Sequence, residues 1–122
     1  MKSFTIAVVL FTTLVVIIIA NSLYITSETQ RLIEIANGLP DFDDERLSQS
    51  IDLFENGWRR FRAIADISCS YNEMSKIDMA IADLRVFIKE NNRSDYEHTR
   101  TFIIIQLKEL ARLERISLNG LF

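Results

Sequence analysis

The only histidine, His98, is the residue best suited to acid–base or metal chemistry, and Asp95 and Glu97 stand close to it. Histidine titrates near neutral pH and is a common metal ligand. Helical bundles that bind metals use Glu-x-x-His motifs on facing helices, and the sequence around His98 lacks that spacing. We therefore interpret the three residues as groups that cap a helix and compensate its dipole, and we expect neither a metal nor a cofactor.

The only cysteine, Cys69, is the best candidate for a nucleophile, and alone it cannot form an intramolecular disulfide. It can cross-link two copies of the chain, or it is a small half-buried residue near a helix end, which we favour. No serine lies in a glycine-flanked elbow, and no glycine-rich loop is present to bind a phosphate. The sequence therefore predicts a protein that is not an enzyme.

One basic cluster, Arg59, Arg60 and Arg62, offers a site for anionic lipid or cell-wall polymer. A solvated helix face is the favoured interpretation, because Glu55 and Asp66 stand four residues from Arg59 and Arg62 and can pair with them. The chain carries a net charge of −3. A mildly acidic protein is a poor partner for nucleic acid, so none is expected.

Two aromatic residues, Trp58 and Tyr71, are candidates for ligand binding or for the core. Trp58 falls on the apolar face of a predicted helix, so core packing is the default interpretation. A ligand bound between helices beside these two rings is the alternative.

The N-terminal segment is the most apolar part of the chain and carries no charged side chain between Lys2 and Glu28. A helix over 4–25 is about 33 Å long at about 1.5 Å per residue, which matches a hydrocarbon core of about 30 Å. The β-branched residues of this segment do not oppose a helix there, because in lipid the backbone must satisfy its own hydrogen bonds. The sequence therefore predicts a single transmembrane helix and a partner, the lipid bilayer, for this segment.

The charges that flank the apolar segment indicate its orientation. Lys2 precedes it, and acidic residues dominate after it, so we place the N-terminus in the cytoplasm and the remainder outside the cell membrane. The alternative is a cleaved signal peptide, since Ala20 and Ser22 fit the −3 and −1 positions of a signal-peptidase site. The apolar run is long for a signal peptide, and the helical pattern continues into Leu32, so we favour retention.

The sequence Asn-Gly-Leu-Pro at 37–40 predicts the end of the first helix. Gly38 accepts a left-handed backbone, and Pro40 cannot continue the hydrogen-bond ladder. The membrane helix is therefore expected to continue as a stalk to about Ala36. The acidic residues at 41–45 then favour a new helix N-terminus, where negative charge is stabilised.

A second helix is predicted over 43–68, because its apolar residues alternate at spacings of four and three. These residues are Leu47, Ile51, Phe54, Trp58, Phe61 and Ala65, with Ser68 as a weak last position. Gly57 lies inside this helix at a cost of about 1 kcal/mol relative to alanine. It either lets a neighbouring helix approach or marks a kink.

The third helix is predicted after a turn at 69–72, with Ser70 or Asn72 as its cap. Its apolar face comprises Met74, Ile77, Ala80, Ile81, Leu84, Phe87 and Ile88. Residues 90–93 break that pattern. Ser94 or Asp95 is then expected to cap a fourth helix, which ends at Asn119-Gly120.

The fourth helix contains four consecutive large apolar residues, 102–105, which cannot all face one side. A strand there would be too short and isolated to pair. We therefore predict that part of this segment, Phe102, Ile104 and Ile105, is an interaction surface.

The predicted fold is all-α: an N-terminal transmembrane helix that continues into a stalk, followed by an antiparallel three-helix bundle. A four-helix bundle, with the stalk as its fourth member, is the alternative. The corresponding domains are 1–27 for the anchor, 28–40 for the stalk and turn, and 41–122 for the bundle.

The chain resembles the bacterial domain-of-unknown-function family 4363 over nearly its whole length. The resemblance depends on Trp58, on Leu84, on the run from Tyr71 to Asp78 and on the ending Ile116 to Asn119. It implies an N-terminal membrane segment and a helical remainder, and no activity. A histidine is common in that family at the position of Tyr71, so any chemistry of that histidine is not expected here.

We therefore expect a non-catalytic interaction or scaffold module at the cell envelope, which binds a protein partner in the membrane or a second copy of itself. The alternative is an extracytoplasmic ligand-sensing helical bundle.

Overall fold

The computed structural model describes residues 1–66 and 69–121. This part of the chain holds four helices and no strand: α1 (Lys2–Asn37), α2 (Leu47–Ala65), α3 (Tyr71–Lys89) and α4 (Arg93–Leu121). The prediction of an all-α fold, with a long N-terminal helix and a helical bundle, is confirmed.

Helix α1 changes character near Ser22. Before Ser22 its side chains are exposed or half-buried, and from Ser22 onward one face is buried in the bundle. The segment predicted as a stalk therefore packs against the other helices, which corresponds to the four-helix alternative. The division of the chain at residues 27 and 40 stays a prediction.

The buried face of α1 alternates small and large residues, which favours close packing. Ser22, Thr29 and Ala36 recur every seven residues, with Ile25 and Leu32 between them, and all five are at most 2% exposed. Small side chains let a neighbouring helix approach. Accordingly, α1 packs more extensively against α4 than against α2.

The Thr29 hydroxyl is buried, but it has a hydrogen-bond partner. Its hydroxyl donates to the Ile25 carbonyl oxygen one turn earlier, at 2.5 Å. A buried hydroxyl with such a partner is satisfied, so this position can lie in the core.

The direction of α4 follows from its first turn. Arg93 forms an ion pair with Asp43, and the ring of Tyr96 lies 5.4 Å from the ring of Phe42, centroid to centroid. Phe42 and Asp43 come directly after α1, so α4 begins where α1 ends. The two helices therefore run antiparallel.

The apolar faces predicted for α2 and α3 form the centre of the core. The six residues of the α2 face are at most 2% exposed: Leu47, Ile51, Phe54, Trp58, Phe61 and Ala65. Ser68, the seventh predicted position, lies outside the described residues. On α3, Met74, Ile77, Ala80, Ile81 and Leu84 are buried, and Phe87 and Ile88 pack against the cluster.

Gly57 lies where α1 and α2 come close together. A Cβ atom at this position would stand 3.3 Å from Leu32 Cδ2 of α1. Helix α2 continues through Gly57, so of the two interpretations of this glycine the structure favours the close approach.

Long polar side chains bridge α2 and α3, whose backbones lie further apart than those of the other packed pairs. The Arg85 guanidinium of α3 donates to Asp52 at 2.6 Å and to Glu55 at 3.0 Å on α2. Arg62 of α2 forms an ion pair with Asp78 of α3. None of these bridges was predicted, since each partner is far away in sequence.

Helix α1 ends at Asn37, as the predicted stop at 37–40 requires, but the expected left-handed cap at Gly38 and the predicted start of α2 are wrong. Gly38 has φ −89° and is not left-handed, because its N–H and that of Leu39 close tight turns onto carbonyls of the last turn of α1. Helix α2 begins at Leu47, not near Asp43. The Asp44 carboxylate accepts the Arg46 backbone N–H at 2.8 Å, and this local turn replaces the first turn of a helix.

The α3–α4 connection is a compact turn made by two asparagines. Asn91 has φ 57°, and the N–H groups of Asn91 and Asn92 donate to the carbonyls of Ile88 and Phe87, which is a Schellman motif. The prediction that Ser94 or Asp95 caps α4 is wrong. The Asn92 side chain accepts the Asp95 backbone N–H at 3.1 Å, so Asn92 is the cap.

The N-terminus of α3 agrees with the prediction, and the C-terminus of α4 differs from it. Helix α3 begins at Tyr71 with Ser70 in extended conformation at the N-cap position, as one of the two predicted options, and Asn72 lies inside the helix. Helix α4 does not end at Asn119-Gly120 but continues to Leu121. Gly120 does not adopt a positive φ, so it does not form the left-handed cap that the sequence suggested.

Candidate interaction surface

An apolar patch lies on the outer face of α3 and α4. Met79 of α3 is 68% exposed, and on α4 Phe102 is 38% and Ile105 is 55% exposed. Met79 and Phe102 line opposite walls of a shallow groove of about 360 Å³ between the two helices. We call Met79, Phe102 and Ile105 the α3–α4 patch.

The helical geometry of α4 explains why only part of the predicted surface is exposed. Successive residues on a helix are rotated by about 100°, so a run of four apolar residues covers both the core face and the outer face. Ile103 is 1% exposed and belongs to the core, whereas Ile104 is partly buried and packs against it. Of the three residues predicted for the surface, the structure places Phe102 and Ile105 there.

Met79 was missed by sequence reasoning. It falls between the buried positions Ile77 and Ala80 and therefore stands off the apolar face of α3. An exposed methionine beside an aromatic residue is a flexible, polarisable contact, which suits a binding surface. Its position off the helical repeat is the signal that could have identified it.

His98 lies at the edge of this groove and is exposed, with Lys76 and Asp83 across from it on α3. Within residues 1–66 and 69–121, no three His, Cys, Asp or Glu side chains are grouped closely enough to hold a metal ion. His98 is therefore an exposed polar residue at the edge of the α3–α4 patch.

The two candidate ligand aromatics do not share a cavity. Trp58 is 1% exposed in the core, and its indole N–H donates to Asp78 Oδ1 at 2.7 Å. Tyr71 is 70% exposed, with the Arg62 guanidinium carbon 5.7 Å from its ring centroid. The structure thus places Trp58 in the core and Tyr71 on the surface.

The arginine cluster forms the ion pairs that its spacing predicted. Arg59 lies 3.5 Å from Glu55, and Arg62 lies 3.6 Å from Asp66. Arg60 instead lines a second groove, between α1 and α2. Exposed pairs of this kind contribute about 0.2–1 kcal/mol each to the stability of a fold, so their effect on the stability of the bundle is small.

A larger groove, of about 510 Å³, runs between α1 and α2. Its walls are mainly apolar, from Tyr24, Leu32, Leu39 and Leu53, and two cations, Arg31 and Arg60, stand among them. Arg31 also lies 3.5 Å from Glu28. Glu28 and Ser50 also line this groove, so its walls carry charges of both signs among the apolar side chains.

Ion pairs and burial shift the pKa values of several side chains in the bundle. The hydrogen bond to Asp52 raises the pKa of Arg85, and the hydrogen bonds from Arg46 lower the pKa of Asp44. Burial raises the pKa of the Tyr96 phenol. Such shifts are typical of structural pairs and of a phenol in a core.

Cys69 follows the end of α2, is half-buried and packs against the core. This is the position of the favoured interpretation, a small residue near a helix end.

The N-terminal part of α1 is the remaining apolar surface. Among the described residues, α1 is the one helix that is long and apolar enough to cross a membrane, and none of its most apolar window of 18 residues is buried in the protein. This exposure distinguishes it from the core helix of a water-soluble protein. It is compatible with a membrane anchor and with a signal sequence.

Comparisons with protein-family models, with curated proteins and with solved structures find no match to this chain. The resemblance to the domain-of-unknown-function family 4363 therefore stays a prediction.

Proposed function

We propose that this protein is a single-pass membrane-anchored helical module that binds a second copy of itself through the α3–α4 patch and carries out no catalysis. The observation that carries the proposal is the exposure of Met79, Phe102 and Ile105 on the outer face of α3 and α4, where Met79 and Phe102 line one groove. Apolar groups grouped in this way are typical of an interaction site.

Energetics support a lipid environment for the start of α1. Nine large apolar side chains from residue 4 to residue 17 are each at least 46% exposed: Phe4, Ile6, Val8, Val9, Leu10, Phe11, Leu14, Val16 and Ile17. Leaving that many such side chains in water forgoes on the order of 10 kcal/mol of transfer free energy. That figure is comparable with the whole stability of a small domain, about 5–15 kcal/mol.

The position of the candidate cleavage site supports retention of the anchor. α1 continues as one helix through residues 20–22, and Ser22 and Ile25 are at most 2% exposed in the bundle. Cleavage after Ser22 would remove the first residue of the buried face. With the anchor retained and Lys2 in the cytoplasm, the bundle lies outside the cell membrane.

The membrane also favours self-association through the patch. α4 runs antiparallel to α1, so the patch faces sideways, along the membrane plane, when α1 crosses the bilayer. Two copies in one membrane can then bring the same patch together about a two-fold axis. Anchoring both copies in one membrane raises their effective concentration and strengthens a weak contact.

Cysteine cross-linking of the full chain in native membranes tests this proposal. In a Cys69→Ser background, Ile105→Cys should form a covalent dimer under mild oxidation. Val86→Cys, which replaces a residue 47% exposed near the other end of α3, is the matched control and should not. A Phe102→Glu substitution should abolish the Ile105→Cys dimer while helix content is kept.

Equal cross-linking at positions 105 and 86, or none at 105, would overturn the self-association proposal. Cross-linking of position 105 to a different membrane protein would replace the second copy with that partner.

The second candidate function is ligand sensing, and the α1–α2 groove favours it. Its apolar walls, with Arg31 and Arg60, suit a fatty acid or another single-chain anionic amphiphile. Palmitate should then raise the melting temperature of the full chain in detergent, and Arg60→Ala should remove most of that increase. Arg59→Ala, one residue away on an exposed position, is the control. No increase with palmitate would eliminate this candidate.

A further inference from the structure

Helix α4 extends beyond the helices that it packs against. Leu110 and Ala111 are buried, whereas the described side chains at 112–116 and 119–120 are exposed or half-buried, and the helix continues to Leu121. Leu113 and Ile116 are 36% and 52% exposed. We call residues 112–121 the α4 overhang; at about 1.5 Å per residue it is about 15 Å long.

The overhang leaves the bundle at the same end as the apolar part of α1. The start of α4 lies beside the end of α1, as the contact between Tyr96 and Phe42 shows. From that point we follow the two antiparallel helices towards the other end of the bundle. Among the described side chains, the last buried residue on this path is Ala111 in α4 and Ser22 in α1. Both helices therefore continue past the bundle in one direction.

The exposed residues of the overhang have the chemistry of a membrane interface. Leu113 and Ile116 are apolar, and Arg112 and Arg115 are exposed cations. Both Nε and Nη2 of Arg112 donate to the Glu109 carboxylate one turn earlier on α4, so this guanidinium is already paired, and the half-buried Glu114 adds a negative charge. Because the overhang runs alongside α1, its apolar side chains can face lipid while the long Arg115 side chain extends to the phosphates.

We propose that the α4 overhang is a second membrane contact, in which Leu113 and Ile116 face lipid beside α1 while Arg115 extends to lipid phosphates. This proposal depends on the proposed function in one respect, the retention of α1 as a membrane anchor. It adds that the bundle sits directly on the bilayer, held at two points. A rigid two-point contact fixes the tilt of the bundle, and hence the height at which the α3–α4 patch faces a second copy.

Depth measurements on the full chain in phosphatidylcholine–phosphatidylglycerol vesicles test the inference. An environment-sensitive fluorophore is attached at one cysteine at a time in the Cys69→Ser background: Val9→Cys in α1, Ile116→Cys in the overhang, or Val86→Cys near the far end of α3. Lipids with a quencher in the headgroup or upper acyl chain report contact. We expect quenching at 116 to exceed that at 86 by about threefold or more, as for an interfacial helix.

The three positions separate the failure of this inference from that of the anchor. If the fluorophore at position 9 is quenched but quenching at position 116 is as low as at position 86, the second contact is overturned and the anchor stays in place. Quenching at neither 9 nor 116 would overturn both. A blue-shifted signal at 116 that lipid quenchers do not reduce, and that dilution of the protein in the membrane removes, would assign the overhang to a second copy.

A variant measurement tests the role of charge. Arg115→Gln should reduce quenching at 116 in vesicles that contain phosphatidylglycerol. The matched control, Lys89→Gln at the exposed far end of α3, should leave it unchanged. An equal loss in the two variants would contradict phosphate binding by the overhang.

Discussion

The indole N–H of Trp58 on α2 donates to the Oδ1 of Asp78 on α3 at 2.7 Å, while the other carboxylate oxygen of Asp78 pairs with Arg62. One carboxylate thus satisfies the polar atom of the largest core side chain and joins two helices whose backbones do not pack closely. Neither helix shows this relationship by its own periodicity.

Removal of the Asp78 carboxylate should destabilise the bundle by about 1–3 kcal/mol, because it leaves a buried indole N–H unpaired. Asp78→Ala is the change, and denaturant unfolding of the full chain in detergent is the measurement. Asp78→Asn keeps an oxygen acceptor and should lose less. The exposed Asp83→Ala on the same helix is the control and should stay within about 0.5 kcal/mol of wild type. Equal effects of Asp78→Ala and Asp83→Ala would refute the role of this bond.

Tyr96 should tolerate loss of its hydroxyl. The residue is fully buried, and its hydroxyl has no hydrogen-bond partner among the described residues. A buried hydroxyl without a partner costs free energy, so Tyr96→Phe should be neutral or stabilising by about 1 kcal/mol. Tyr96→Ala should cost about 3–5 kcal/mol through the cavity it leaves. Thermal unfolding distinguishes these outcomes, and a clear loss of stability in Tyr96→Phe would mean that the hydroxyl is bonded.

Tyr96 also predicts a pH dependence at alkaline pH. Burial raises the pKa of its phenol above the ordinary value of 10.0, so the unfolded chain loses this proton first as the pH rises. Above about pH 10 the unfolded state binds fewer protons, and stability falls with pH. Tyr96→Phe should therefore reduce the alkaline loss of stability, whereas Tyr71→Phe, at an exposed ring, should not. Identical alkaline profiles for wild type and Tyr96→Phe would contradict the effect of burial.

Gly57→Ala should stabilise the chain by up to about 1 kcal/mol, because alanine is the better helix former. The new Cβ would stand 3.3 Å from Leu32 Cδ2, and this side-chain end borders the α1–α2 groove, where it can move by a few tenths of an ångström. Gly57→Val brings two more methyl groups against α1 and should cost about 1–3 kcal/mol. Denaturant midpoints of the two variants measure both effects, and a destabilising Gly57→Ala would show that Leu32 cannot move.

Asn92→Ala should cost about 1 kcal/mol, since the first turn of α4 loses the acceptor for the Asp95 N–H. Asn92→Ser retains a capping oxygen and should restore most of that stability. Ser94→Ala, inside the helix and exposed, is the control. If Ser94→Ala were as costly as Asn92→Ala, the cap would lie at Ser94 after all. Amide hydrogen exchange in the first turn of α4 localises the change.

The apolar repeats of the sequence predict where the helices lie. The apolar repeat of α2 is buried at each described position, and that of α3 is buried over its first five members. The charge-free N-terminal segment forms the exposed part of α1. Helical periodicity is a local property, because residues three and four apart share a face whatever the helix packs against.

Helix ends were predicted less well, for an equally local reason. At each end several polar residues compete for the same backbone groups, and only the folded turn decides between them. Asp44 bonds to Arg46 and delays α2, and Asn92 takes the cap that Ser94 and Asp95 could also have supplied. Gly38 and Gly120 lack the left-handed backbone that their residue type permits but does not require.

Tertiary structure alone decided which helices meet and what remains exposed. Whether α1 was a stalk or a bundle member depended on the partner for its Ser22–Thr29–Ala36 repeat, and that partner, α4, begins more than fifty residues later in the chain. The bridges from Arg85 and Asp78, and the division of residues 102–105 between core and patch, likewise follow from packing. Contacts between distant segments form because each helix must bury its apolar face. The residues of one face do not specify which other helix packs against it.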